Sequence, residues 1–266
     1  MANWNDVKMY DLSIRTGIGT PPWPTYEALQ VKYFKRLSPN GANGQVITTS
    51  NHVGTHLDGP LHFDTAGRDI ASLPLDKLCA PGVVVDLSDM AEDFGIYTPE
   101  DIKKRCDVRK GDVLIINTGY HKYGWDEPEA DERRYMLRHP GPNMDFVSWV
   151  HEMEFKWLAV DCGSADHPMN TKIRDWEPGE AAICDKLFKE RYGKGLNEVY
   201  EWPKTYQAMH IQQFPKKYGE VIHVECVGGD IDKLSNKRCV IGCFPWRFVD
   251  GESAFCRVIA FDGFDA

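Results

Sequence analysis

At 266 residues, with 42% apolar and 27% charged residues, the chain can bury a large core and does not have the composition of a disordered polypeptide. A formal net charge of -9 and a pI of about 5.5 repel phosphate backbones, and no Lys/Arg cluster is interleaved with aromatics, which argues against a nucleic-acid partner. No apolar run approaches the roughly 18 residues of a membrane span, and the opening MANWNDVKMYDLS lacks the basic and apolar regions of a secretory signal, so a cytoplasmic protein with a small-molecule substrate is expected.

The first informative segment is residues 51–63, Asn-His-Val-Gly-Thr-His-Leu-Asp-Gly-Pro-Leu-His-Phe, which holds three of the nine histidines. Neutral imidazoles and a carboxylate are the ligands that Zn²⁺ and Mn²⁺ favour. His52, Gly54, His56, Asp58, Pro60 and His62 fall at even positions, whereas Val53, Leu57, Leu61 and Phe63 fall between them. An extended chain would therefore carry the polar groups on one face. Gly54 and Asp58-Gly59-Pro60 disfavour a helix, so a strand followed by a loop is expected. A straight strand would hold residues four apart about 13 Å from each other, too far for one ion with ligands at about 2.1 Å. Either the chain bends, at Gly54 and Gly59-Pro60, or two ions share it with Asp58 between them.

Strand-like runs follow at Gly82–Asp86, Val113–Ile116, Trp157–Val160, Val221–Val224 and Cys239–Gly242. A helix is expected to open at Thr98-Pro99-Glu100-Asp101, where Thr can cap and Pro suits the first helical position, and a second covers 144–151. This alternation predicts an α/β architecture, read as a single domain over 1–266, because no linker or repeat divides the chain. Residues 184–220, Lys-rich and aromatic-rich, are expected as a helical lid or subunit contact. The eight cysteines are scattered and expected as buried thiols; Cys239 and Cys243 enclose three residues with no second pair and do not match a zinc ribbon.

Residues 52–62 match His-x-Gly-Thr-His-x-Asp-x-Pro-x-His at every specified position. In this the sequence resembles the metal-dependent cyclase-like hydrolases, the family of bacterial kynurenine formamidase and isatin hydrolase. Tyr10-Asp11-Leu12-Ser13, Gly67–Ile70, Gly111–Leu114, Thr118-Gly119-Tyr120, His139-Pro140-Gly141 and Ala159-Val160-Asp161 extend the likeness.

The resemblance implies a swivelling β/β/α fold, a homodimer or homotetramer, and one or two Zn²⁺ or Mn²⁺ ions. By it, His52, His56 and Asp58 would hold the first ion. Asp58 and His62 would reach a second, or His62 would serve as a proton shuttle. His210 and Glu225 would complete the site, with His223 a rival on the same strand face. Trp23 would line an aromatic wall and Phe63 follows the last motif histidine, while Ser164 and His167 could line the pocket in place of the family's simpler turn. Cys162 could be a nucleophile, but a metal site makes one unnecessary.

The implied chemistry is hydrolysis of an amide-type bond in an aryl formamide, cyclic amide or imide. A divalent cation would lower the pKa of water from about 15.7 towards about 7, and His62 or Glu225 would move the proton. A lactonase, a non-hydrolytic isomerase or cyclase, and a non-catalytic metal-binding protein are the competing readings.

Overall fold

The computed structural model of the protein describes residues 4–264. Its strands are β1 (Lys8–Asp11), β2 (Gln30–Lys35), β3 (Gly44–Thr48), β4 (His56–Asp58), β5 (Cys79–Asp86), β6 (Ile96–Tyr97), β7 (Val113–Asn117), β8 (Gly141–Pro142), β9 (Trp157–Val160), β10 (Ile222–Glu225), β11 (Lys237–Pro245) and β12 (Ser253–Asp262). The main sheet runs β1-β12-β11-β5-β7-β9-β10-β4, and β12 also pairs with β4. Seven strands thereby close into a barrel, with β1 attached along β12. Strands β5, β7, β9 and β10 are mutually parallel; β4, β11 and β12 join antiparallel.

The apolar runs read as strands are continuous because both of their faces are covered. Period-two alternation divides them between two cores. Val84, Val113, Ile115, Trp157, Ala159, Ile222, Val224, Ile241 and Val258 fill the barrel interior. Val83, Val85, Leu114, Ile116, Leu158 and Val160 meet the helical layer outside it. That layer includes Met144–Met153, with Phe146, Val147, Trp149 and Val150 buried. The expected capping at Thr98 is present: its hydroxyl accepts from Asp101 N at 3.3 Å, and the Asp101 carboxylate accepts from Thr98 N at 2.9 Å.

Within 184–220 lie most of the Pro178–Tyr192 helix and the short helices Leu196–Val199 and Ala208–Ile211. Cys184, Phe188, Leu196 and Tyr200 are buried in the outer core, so much of this segment is structural packing. No helix among the described residues is long and apolar enough to cross a membrane, and all eight cysteines are free thiols, most of them buried.

β12 was not among the runs legible as strands, yet its pairing with β4 closes the barrel. Its register sets Ser253 opposite Asp58 and Phe255 opposite His56. β2 and β3 form a separate hairpin that exposes Tyr33, Phe34, Val46 and Ile47.

Candidate metal centre

The site is built on the outer face of the barrel where β4 meets β10. Leu57 points into the barrel core, so its neighbours His56 and Asp58 point outward. On β10, Ile222 and Val224 take the inner face and leave His223 and Glu225 outside. The antiparallel register then sets His223 directly opposite Asp58 and Glu225 opposite His56. Two local pairings gather four candidate ligands on one patch of sheet.

His52 joins them because the chain bends where the sequence suggested. Gly54 has φ +68°, and a Cβ there would lie 2.3 Å from Thr16 Oγ1, so both conformation and space call for glycine. The bend folds His52 back until its Nδ1 is 3.2 Å from His56 Nε2 and 3.1 Å from Asp58 Oδ1. His210 arrives from the Ala208–Ile211 helix, which sits over the β4–β10 patch. Asp166 secures it by accepting from Met209 N at 3.0 Å and lying 2.6 Å from His210 Nδ1, which leaves Nε2 facing the cluster.

Two groups of donors meet at Asp58, each with its atoms within 4.8 Å of one another. One is His52, His56 and Asp58; the other is Asp58, His210, His223 and Glu225. On the first side, His56 Nδ1 engages Gly54 O at 2.8 Å, so Nε2 carries a lone pair. It lies 3.4 Å from Asp58 Oδ1. That oxygen is buried and receives no hydrogen bond of ordinary geometry. On the second side, His223 Nε2 lies 3.2 Å from Asp58 Oδ2 and 3.5 Å from Glu225 Oε1. His210 Nε2 is 3.7 Å from Asp58 Oδ2 and 3.8 Å from Glu225 Oε1. Converging imidazole nitrogens and carboxylates in a buried space, one of them orphaned, fit divalent cations of the Zn²⁺ or Mn²⁺ type.

The electrostatics agree. Burial opposes charging of His52 and His210, yet carboxylates overcome it: Asp58 and Glu252 push His52 up to about 10, and Asp166 and Asp58 push His210 up to about 10. Burial, only partly offset by Asp58, holds His56 down at about 4; burial and the neighbouring His210 do the same to His223. Burial and the adjacent Asp58 push Glu225 up to about 8. In the absence of a cation, protons compensate the buried carboxylates.

His62 stands apart from both groups that contain Asp58. The turn Pro60–His62 carries it to the rim, where Nδ1 lies 2.6 Å from Glu252 Oε2. With His52 and Glu252 it forms a third set of donor atoms lying within 4.8 Å of one another. Beside the donors opens a cleft of ≈ 300 Å³ lined by Trp23, Thr25, Tyr26, His52, Asp58, His62, Phe63, Lys172, Trp176, Tyr206, Gln207, His210 and Glu225. Trp23 and Phe63 therefore stand at the cleft.

Ser164 and His167 do not line it. Both are buried, and His167 packs against Phe188 and Tyr200, where burial holds it down at about 3. Residues 161–170 act instead through Asp166 and through Ala165 N, which donates to Glu225 Oε1 at 2.8 Å. Cys162 is likewise buried, and burial holds its thiol well above the ordinary value.

Sequence reasoning missed Asp166, Glu252, Lys172, Trp176, Tyr206 and Gln207. Asp166 and Glu252 are single acids without a motif around them, and only tertiary contact reveals their partners.

The class is that of a closed mixed barrel with a buried His/Asp/Glu donor set, able to hold a metal ion, on its outer face. The chain belongs to the family described as putative cyclase, whose model matches residues 10–167. It is 27% identical over 188 residues to a kynurenine formamidase of Bacillus cereus, covering 71% of this chain and 78% of that protein. Its fold is similar to that of an isatin hydrolase bound to the product analogue thioisatinate, with TM-score 0.73, 18% identity, and 98% of this chain and 94% of that one covered. Isatin hydrolase A from Ralstonia solanacearum gives TM-score 0.72 at 16% identity, with 97% and 92% covered.

Proposed function

We propose that the protein is a divalent-metal-dependent hydrolase that opens an amide-type bond in a small aromatic or cyclic substrate. The observation that carries the reading is Asp58, whose two oxygens face separate sets of donors beside an aromatic-walled cleft. The kynurenine formamidase and isatin hydrolase relatives support the same bond class. His52, His56 and Asp58 would hold one Zn²⁺ or Mn²⁺ ion, and Asp58, His210, Glu225 and His223 a second. Such a cation supplies Lewis acidity, which makes water acidic near neutral pH and polarises a carbonyl.

The chain's own residues do the rest. Trp23, Tyr26, Phe63, Trp176 and Tyr206 offer ring faces that orient a planar substrate and exclude water. His62 lines the cleft with Nδ1 engaged by Glu252, so Nε2 is the nitrogen free to move a proton to the departing amine, which leaves poorly unless protonated. Glu225 is held by Ala165 N and turned towards the cluster, which suits it to the cation more than to proton transfer at the rim. The exposed apolar hairpin β2–β3 and exposed Trp246 and Val249 support assembly as a homodimer or homotetramer.

The test is metal analysis of the purified protein together with turnover of formanilides, isatin-like cyclic amides, imides and lactones. Activity lost to a chelator and restored by Mn²⁺ or Zn²⁺, with oxygen from labelled water in the product, is the expected result. His56→Ala and Asp58→Ala should lose both metal and turnover. Near-stoichiometric metal in both variants, or product without solvent oxygen, would overturn the reading.

A further inference from the structure

Glu252 stands just before β12, at the seam where β12 closes the barrel on β4. Its backbone carbonyl accepts from Gly59 N at 2.9 Å, which fixes the start of the turn that carries His62. Its carboxylate touches two site histidines at once: Oε2 is 3.0 Å from His52 Nε2 and 2.6 Å from His62 Nδ1. Ser253 Oγ donates to Oε1 at 2.7 Å and Asn51 Nδ2 donates to it at 3.2 Å, so the group is held from both sides. The His52 and His62 rings are tilted by 33° with their centroids 4.4 Å apart.

An ionised carboxylate only accepts hydrogen bonds, and a neutral imidazole has one N–H and one lone pair. The nitrogens that face Glu252 must therefore both carry hydrogen. For His52, which must shed its second proton to ligate a cation, this leaves the lone pair on Nδ1, the atom 3.1 Å from Asp58 Oδ1 and 3.2 Å from His56 Nε2. For His62 it leaves the lone pair on Nε2. We infer that Glu252 is the positioning residue of this site, a single carboxylate that sets the tautomers of two histidines and so couples cation binding at His52 to proton handling at His62. The inference rests on the hydrolase reading above. Carboxylate partners of ligating histidines fix ring orientation and tautomer in this way; here the same carboxylate serves a second imidazole that lies outside both donor groups containing Asp58 but converges with His52 and Glu252.

The substitution Glu252→Gln separates this role from bulk packing, since it preserves shape but replaces one acceptor oxygen by an NH₂ donor. Both imidazoles face Oε2, so an amide that sets its NH₂ there makes them turn lone pairs towards it and move the hydrogen to the far nitrogen, whereas one that keeps its oxygen there sets the NH₂ against the Ser253 and Asn51 donors. At His52 that hydrogen would point into the donor cluster; at His62 it would face the cleft. The experiment compares the intact protein with Glu252→Gln and Glu252→Ala. Zn²⁺ affinity is measured by chelator competition, and imidazole tautomers by ¹⁵N–¹H spectra of the Zn²⁺-loaded forms.

Expected are a loss of about 10- to 100-fold in affinity, or a change of His62 from the Nδ1–H to the Nε2–H tautomer with kcat lowered and KM little changed. In Glu252→Ala, which removes both acceptor oxygens, affinity within twofold of the intact protein together with an unchanged His62 tautomer would overturn the inference. Failure of the intact protein to bind Zn²⁺ or to hydrolyse any amide would instead overturn the hydrolase reading, so the two failures are told apart.

Discussion

Lys172 is the one Lys or Arg among the residues lining the cleft, and it stands beside Trp176 and Tyr206. Its ammonium also meets Asp175 at 3.2 Å, so its charge is shared but not buried. A substrate carrying a carboxylate next to a ring would find both partners there. Lys172→Ala should raise KM about 5- to 30-fold for a carboxylate-bearing aryl amide, the loss expected of one partly exposed charge pair worth about 1–2 kcal/mol. Neutral formanilides should change less than twofold; equal effects on both classes would remove Lys172 from recognition. At Gly54, substitution by Ala would meet both the positive φ and Thr16 Oγ1 at 2.3 Å. The expected cost is about 1–3 kcal/mol of stability by chemical denaturation, with weakened cation binding because His52 moves with the bend.

Elements explain what could and could not be read in advance. Alternation correctly separated His56 and Asp58 from Leu57, since a strand has only two faces. The bend at Gly54 is one of two answers to the reach that strand geometry denies, two ions spread along the strand being the other, and spacing alone leaves both open. His210 depends on Asp166, 44 residues away in sequence, and the His52–Glu252 contact spans 200 residues, so neither is encoded in any local pattern. Ser164 and His167 looked available beside Gly163 and Pro168, but the helical layer covers that turn with Phe188 and Tyr200.

The ends of β7 and β9 carry a further consequence. Buried Asp161 accepts from Thr118 N at 2.8 Å and Thr118 Oγ1 at 2.6 Å, and its other oxygen lies 2.9 Å from His121 Nδ1. Burial opposes charging of His121, but Asp161 and then Asp232 raise it from 6.5 to about 9. A pKa raised on folding stabilises fully below the unfolded value and is lost as pH rises through the folded one. The pairing should therefore contribute on the order of 2–3 kcal/mol below about pH 6.5, fading towards pH 9. Urea unfolding of the intact protein and His121→Gln should show a gap that closes over this window; a constant gap would place the effect in packing.

At the scale of the whole molecule, the β2–β3 hairpin leaves Tyr33, Phe34, Leu37, Val46 and Ile47 exposed. A hollow of ≈ 880 Å³ lies beside it, lined in part by Leu29, Ile47, Trp246, Phe248 and Phe255. Apolar patches of this kind on a folded chain mark contact surfaces. Light scattering at micromolar concentration should give a dimer or tetramer mass, and a monomer mass would count against assembly through this face.

Cation removal should reach beyond the site, because the donor set joins β4, β10, the Ala208–Ile211 helix and, through Glu252, the β12 seam. In the cation-free protein His52 and His210, each pushed up to about 10, hold protons at neutral pH, and Glu225 at about 8 is largely protonated. Binding must release those protons, so affinity should rise with pH from 6 to 8. A ligand that binds only the folded state adds about 2.7 kcal/mol at 100 times its Kd, which for a chain of this size corresponds to roughly 5–10 °C in Tm. Thermal melts of chelator-treated protein, with and without Zn²⁺ or Mn²⁺ at pH 6, 7 and 8, should show an increment that grows with pH at fixed cation concentration. An increment that is absent, or that shrinks as pH rises, would mean that these histidines and Glu225 do not exchange protons for a cation.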